Sequence, residues 1–159
     1  MTKKKITIRL ADRYDLNSVV KMWVELMELT AEFNPRYRLR SGAEEAQRAL
    51  FADMLARDDS FLMVADVDGK LIAFANGYLT QPYKTFAQAP IGVIENLYVR
   101  ESFRRRGLGR EVSTRAAAWL THFGATEVHV NVVPKNVDSL KFWRALNYEV
   151  HRVAMVKKP

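Results

Sequence analysis

The sequence contains no cysteine. That excludes disulfides, cysteine-ligated zinc and a thiol nucleophile, and it fits a reducing compartment, so a cytoplasmic location is expected. Long apolar runs are missing too. No stretch approaches the roughly 18 to 20 residues that a membrane-spanning helix needs. Lys3, Lys4 and Lys5 lead into an alternating pattern, not into the apolar core of a secretory leader. Neither secretion nor a membrane partner is expected. Glycine (7) and proline (5) are spread thinly, with no repeat, low-complexity tract or flexible linker. Histidine is scarce, and His122, His129 and His151 lack the mutual spacing of metal ligands, so no metal site is expected. Acidic residues are outnumbered 18 to 25, giving a net charge of +7. That excess favours anionic partners through the long-range field. Charge alone does not choose among nucleic acid, an anionic surface and a phosphate-bearing small molecule.

What is present is an ordinary globular composition, 48% apolar and 27% charged over 159 residues, enough for one core and one domain spanning 1–159. Ile6, Ile8 and Leu10 alternate as a first strand. Asp12 and Asp15 signal a helix start, and Leu16, Val19, Val20, Trp23, Val24 and Met27 fall on one helical face, ended by Asn34-Pro35. Residues 41–57 read as a second helix with Leu50 and Met54 on its apolar side. Strands follow over 61–67 and 70–80, joined by Asp68-Gly69, a strong hairpin turn. The segment 81–92 reads as a loop, 93–99 as a strand, and 107–123 as a helix with Leu108, Val112, Ala116, Trp119, Leu120 and Phe123 on its buried stripe. Glu111 and Arg115 are placed to pair at i,i+4. A strand over 127–133, a helix over 136–146 and a last strand over 148–156 complete the order β-α-α-β-β-β-α-β-α-β. This is an α/β domain with a mixed, mostly antiparallel sheet flanked by helices.

The chemically informative stretch is 94–110. A strand ends near Val99, and Arg104-Arg105-Arg106-Gly107-Leu108-Gly109-Arg110 opens a helix. Helix N-termini present unpaired N–H groups and partial positive charge. Glycines let backbone approach a phosphate, and arginines add donors. The P-loop pattern is absent, and the third glycine of a dinucleotide fingerprint is replaced by Val112. Arg104, Gly107 and Gly109 instead form Arg-x-x-Gly-x-Gly. Preceded by Glu95-Asn96-Leu97-Tyr98-Val99, this resembles the signature of the GNAT superfamily of acyl-CoA N-acyltransferases. Asn136-x-x-Ser139-x-x-Phe142-Trp143 and Leu146-Asn147-Tyr148 resemble the family's later helix and its exit, so the likeness covers nearly the whole chain.

The resemblance implies an N-acetyltransferase domain that moves an acetyl group directly from acetyl-CoA to a primary amine of a small molecule or peptide. Backbone N–H groups of residues 104–110 would cradle the pyrophosphate, with Arg105 and Arg106 either on the 3′-phosphate or solvated. The pantetheine arm would run along Leu97, Tyr98 and Val99, with a backbone N–H near Leu97 or Tyr98 as oxyanion donor. The neighbouring strand would splay away at Val130 and Asn131. Asn136 matches a position that contacts the coenzyme arm, and equally reads as a helix cap. Glu95 is the candidate base, acting through water. Simple alternation puts it on one face with Val93, Leu97 and Val99, where apolar neighbours would raise its pKa. Trp143 stands where the family usually carries its acid, a tyrosine, and indole donates no such proton. Water, Tyr78, Tyr83 or Tyr98 would then serve, or the chain is a non-catalytic acyl-CoA-binding regulatory module. Arg36, Tyr37, Arg38 and Arg40, with Tyr83, Lys84 and Phe86, suggest a basic, aromatic acceptor rim that suits an acceptor bearing a carboxylate or phosphate better than a polycation. No nucleic-acid-binding motif is present. A homodimer is compatible with the family.

Overall fold

The computed structural model describes residues 5–81, 83–85 and 89–158. Lys3, Lys4 and Phe86, named above, lie outside the described residues. Five strands form one sheet in the order β1-β2-β3-β4-β5. They are Ile6–Leu10 (β1), Ser60–Val67 (β2), Lys70–Leu79 (β3), Ile91–Val99 (β4) and Glu127–Val130 (β5). The first four pair antiparallel, and β5 pairs parallel to β4. The β2–β3 turn is the Asp-Gly hairpin expected, with φ of 52° at Asp68 and 78° at Gly69.

Helices Leu16–Phe33 (α1) and Ala43–Leu55 (α2) cover one face of the sheet, and Leu108–His122 (α3) and Val137–Arg144 (α4) the other. Alternation along β2 and β3, interrupted where the ladder skips Ile72, divides the core accordingly. Leu62, Val64, Leu71 and Phe74 meet Val19, Met22 and Phe51 on the α1/α2 side. Met63, Ala65, Ala73 and Ala75 meet Val112, Ala116 and Leu120 on the other. The helical periodicities therefore reflect burial of one stripe per helix. The Glu111–Arg115 pair forms at 3.1 Å.

Four local expectations need correction. Leu50 is 59% exposed, and its neighbour Phe51, fully buried, supplies the α2 anchor. One step along a helix is 100° of rotation, which turns Leu50 away from the sheet. Phe123, placed on the α3 stripe, is 48% exposed and stacks on Trp119 at the end of the helix (centroids 4.4 Å apart). The strand over 127–133 stops at Val130, where it leaves β4. The last strand, 148–156, does not form: those residues carry no strand pairing, and Val150, Val153, Met155 and Val156 are exposed. A strand exists by virtue of a ladder partner, and among the described residues none is supplied there. Asn147 turns the chain through a φ of 66° after α4 and sets Tyr148 edge-on against Trp143.

Candidate functional site

The β3–β4 register shifts by one: Asn76 faces Asn96, but Gly77 faces Ile94. Glu95 is therefore an extra residue, a β-bulge. Ile94 and Leu97 pack with the α3-side cluster although three residues apart, and Tyr98 packs with the α1/α2 cluster. The side chains of Glu95 and Asn96 both bond Asn76, which lies on the Phe74 face of β3, toward α1 and α2. This overturns the expected grouping of Glu95 with Leu97 and Val99, and Glu95 is exposed to the groove, not enclosed by apolar neighbours. The bulge was legible in outline. Val93-Ile94-Glu95-Asn96-Leu97 breaks strict alternation, two apolar then two polar.

The β4–β5 ladder ends at Ile94↔Val130, so among the described residues 95–99 have no strand partner on that side. The two strands part as expected at Val130 and Asn131. A groove of about 1570 Å³ runs through the gap. Its α3/α4 wall carries Arg104, Arg105, Gly107, Gly109 and Arg110, with Lys141 and Trp143 from α4 and Asn136 at its N-cap, and Leu97, Tyr98 and Val99 form its floor. Arg106 and Leu108 do not line it. Leu108 is buried in the core, and Arg106 is exposed outside the lining.

Before α3 the backbone curls through φ of 58° at Arg105 and 82° at Gly107. Among the described residues, the N–H groups of Arg105 to Arg110 find no acceptor in the protein; the first helical bond is Glu111 N–H to the Gly107 carbonyl. A Cβ on Gly107 would meet nothing within 4 Å, so the surface there is open to a ligand. Free donors, a positive helix end and open backbone together fit a pyrophosphate. The Arg104 side chain folds back: its Nε donates to the Val99 carbonyl at 2.7 Å and its guanidinium lies 5.4 Å from the Tyr98 ring centre. The Asn136 carboxamide oxygen accepts from Ser139 N–H at 3.0 Å, the cap alternative, while Asn136 also lines the groove.

The three tyrosines separate. Tyr98 OH donates to Glu25 at 2.6 Å, and burial together with that carboxylate pushes its pKa up to about 12. Arg100 donates to the same Glu25 at 2.7 Å and to the Leu71 carbonyl at 3.1 Å. Tyr83 is exposed and outside the groove lining. Tyr78 lines the groove, its phenol pKa raised by burial and then by Glu95. Trp143 is 8% exposed, wedged between Phe142 and Tyr148. His129 bonds Glu127 at 2.9 Å and lies away from the groove lining.

The wall from α1 and α2 carries acidic side chains where a basic rim is expected from the sequence. It presents Glu32 and Asp53 to the groove that Glu95 also lines, with Arg57 bound to Asp59 at 2.8 Å and near Asp53 at 3.6 Å. Arg36, Arg38 and Arg40 do not line the groove, although Tyr37 does. The basic rim expected from those arginines is thus absent from the cavity wall. The carboxylates were overlooked because nothing in a single helix's sequence says which polar side meets a cavity. Asn76, inside a strand otherwise apolar on its buried faces, was the readable signal that a polar network sits here.

Residues 23–148 match the model of the Acetyltransferase (GNAT) family. An aminoglycoside N(6′)-acetyltransferase type 1 of Salmonella typhimurium is 28% identical over 117 residues, 72% of this chain and 81% of the relative. An enzyme of the same description from Acinetobacter haemolyticus is 25% identical over 131 residues, 82% of this chain and 84% of the relative. Among solved structures, an aminoglycoside N-acetyltransferase in complex with CoA superposes with a TM-score of 0.75 at 25% identity, covering 98% of this chain and 96% of that one. The chain belongs to the GNAT acetyltransferase family and is an acyl-CoA-dependent N-acetyltransferase with acetyl-CoA as its acetyl donor.

Proposed function

We propose that the acceptor is a small polycationic amine of the amino-sugar class, and that Glu95 takes the proton from its attacking nitrogen. The observation that carries this reading is the polarity of the groove. One wall gathers Arg104, Arg105, Arg110 and Lys141 against Asp138, suited to an anionic coenzyme. The other gathers Glu32, Asp53 and Glu95 against Arg57, which binds Asp59 outside the lining and lies 3.6 Å from Asp53. Carboxylates gathered along a groove attract ammonium groups and focus the field toward them. The relatives that acetylate aminoglycosides support the same substrate class.

In this reading the N–H groups of residues 105–110 hold the pyrophosphate, and the pantetheine arm lies along Leu97, Tyr98 and Val99 where β5 has left β4. The acetyl carbonyl then sits at the bulge, close to where Glu95 faces the acceptor. The neutral amine attacks the thioester carbon, Glu95 receives its proton through water, and the departing thiolate is protonated by water or by Tyr78, since Trp143 has no acid to offer. Steady-state acetylation of neamine, followed by thiol release, tests the acceptor class. Asp53→Asn and Glu32→Gln are expected to raise KM for neamine roughly tenfold, as loss of one charge-assisted contact does, and to leave KM for acetyl-CoA within about twofold. Equal effects on both substrates, or no turnover of neamine, would count against it.

A further inference from the structure

Asn76 has no surface exposure and no place in the groove lining, yet it is the hub of the bulge. Its carboxamide oxygen accepts from Asn96 Nδ2 at 2.9 Å, and its own Nδ2 donates to Glu95 Oε2 at 2.8 Å. The chain of donors has one sense. Asn96 has given its N–H to the Asn76 oxygen, so Asn76 must turn its N–H₂ to the carboxylate. A flipped amide would set oxygen against the Glu95 carboxylate at one end and N–H₂ against the Asn96 N–H₂ at the other. The Met54 sulfur lies 3.7 Å from the same Nδ2, and no buried side-chain polar atom among the described residues is left unpartnered. A fully buried amide is costly unless satisfied, and this one is satisfied by the two groups that the bulge turns toward the acceptor.

We infer that Asn76 is a positioning residue for the reaction: oriented by Asn96, it clamps one oxygen of Glu95 and leaves the other to face the acceptor. The inference rests on the proposed role of Glu95. One carboxylate oxygen tied to the buried core fixes where the second points, which a side chain on a flexible ethylene stem does not do alone. Displacements of about 1 Å cost on the order of a hundredfold in rate.

The test is a kinetic cycle on the full chain with acetyl-CoA and neamine, using Glu95→Gln, Asn76→Ala, Asn76→Ser and the double variant Asn76→Ala/Glu95→Gln. Alanine and serine leave nearly the same space, but serine keeps a donor. Asn76→Ala is expected to lower kcat roughly tenfold or more, with KM for both substrates within about threefold, and Asn76→Ser to recover part of the loss. In the Glu95→Gln background the Asn76 substitution adds little, because the clamped group is already gone. Asn96→Ala, at a partly exposed position, repeats the cycle without touching the core should the Asn76 variants fold poorly. Losses that multiply in the double variants, or a serine no better than alanine, would reduce Asn76 to a structural support and overturn the inference. A Glu95→Gln enzyme as fast as the wild type would overturn it differently, by removing the base on which it rests.

Discussion

Glu25 shows how one carboxylate joins two parts of the site. It receives Tyr98 OH and Arg100, and the Tyr98 ring lies beneath the Arg104 guanidinium of the coenzyme turn. Removing it leaves a phenol and a guanidinium without their partner. Glu25→Ala is therefore expected to cost about 2 kcal/mol, and Tyr98→Phe about 1 kcal/mol, in urea unfolding. Losses of that order in both, but additive in the double variant, would show that the two groups do not share one contact. Of the three tyrosines considered as acid, Tyr78 lines the groove without the Glu25 bond that engages Tyr98. If it protonates the thiolate, Tyr78→Phe slows kcat by roughly a hundredfold, at the low end of general-acid contributions. If water does, kcat changes by less than about threefold, and thiol-release kinetics separate the two. These residue-level roles were only partly legible. The tyrosine deficit at Trp143 was plain from the sequence, whereas Glu25 drew no notice because a carboxylate on a surface helix carries no sign of the strand tyrosine it will meet.

At the scale of elements, the bulge organises everything around it, and Gly77 is what allows it. A Cβ there would stand 2.2 Å from the Val93 carbonyl oxygen and 2.7 Å from the Phe61 ring. Backbone cannot yield as a side-chain tip can. Gly77→Ala is expected to destabilise by roughly 3 kcal/mol or more and to lower activity beyond that, since β4 must move where Glu95 is set. Thermal unfolding and kcat, measured together, check it; a fully active, equally stable variant would contradict the register described. Apart from the last strand, the element types read from periodicity stand, because each helix buries one stripe and each inner strand one or two faces. The places where the reading slipped share a cause. The length of β5, the face of Glu95 and the missing last strand all depend on which partner lies alongside, and pairing is a property of two segments that one segment's alternation does not contain.

The whole molecule is a sheet with a helical layer on each face and a groove whose walls differ in charge. Its net charge of +7 gave no hint of acidic residues along one wall of the groove, because a sum hides where charges sit. One ion pair outside the groove ties the sheet edge to α1: Arg9 donates to Asp15 at 2.6 and 3.0 Å, and hydrogen bonding from Arg9 holds the Asp15 carboxyl below its ordinary value of 3.8. A depressed folded pKa adds stability that is fully present above the unfolded value and drains away as pH falls through the folded one. Asp15→Asn is thus expected to be less stable than the wild type at pH 7 by about 1 to 3 kcal/mol, and the gap to narrow below pH ~4. Urea midpoints across that range decide it, and a gap independent of pH would point to packing instead.

The most direct test of the account compares wild type with Glu95→Gln in two assays on the same samples: calorimetric binding of acetyl-CoA and thiol release with neamine. Unchanged coenzyme affinity with kcat reduced roughly a hundredfold or more is the result predicted for a base at the bulge. Full turnover in the variant would contradict it, and would move the proton-accepting role away from the one carboxylate that β4 turns into the groove.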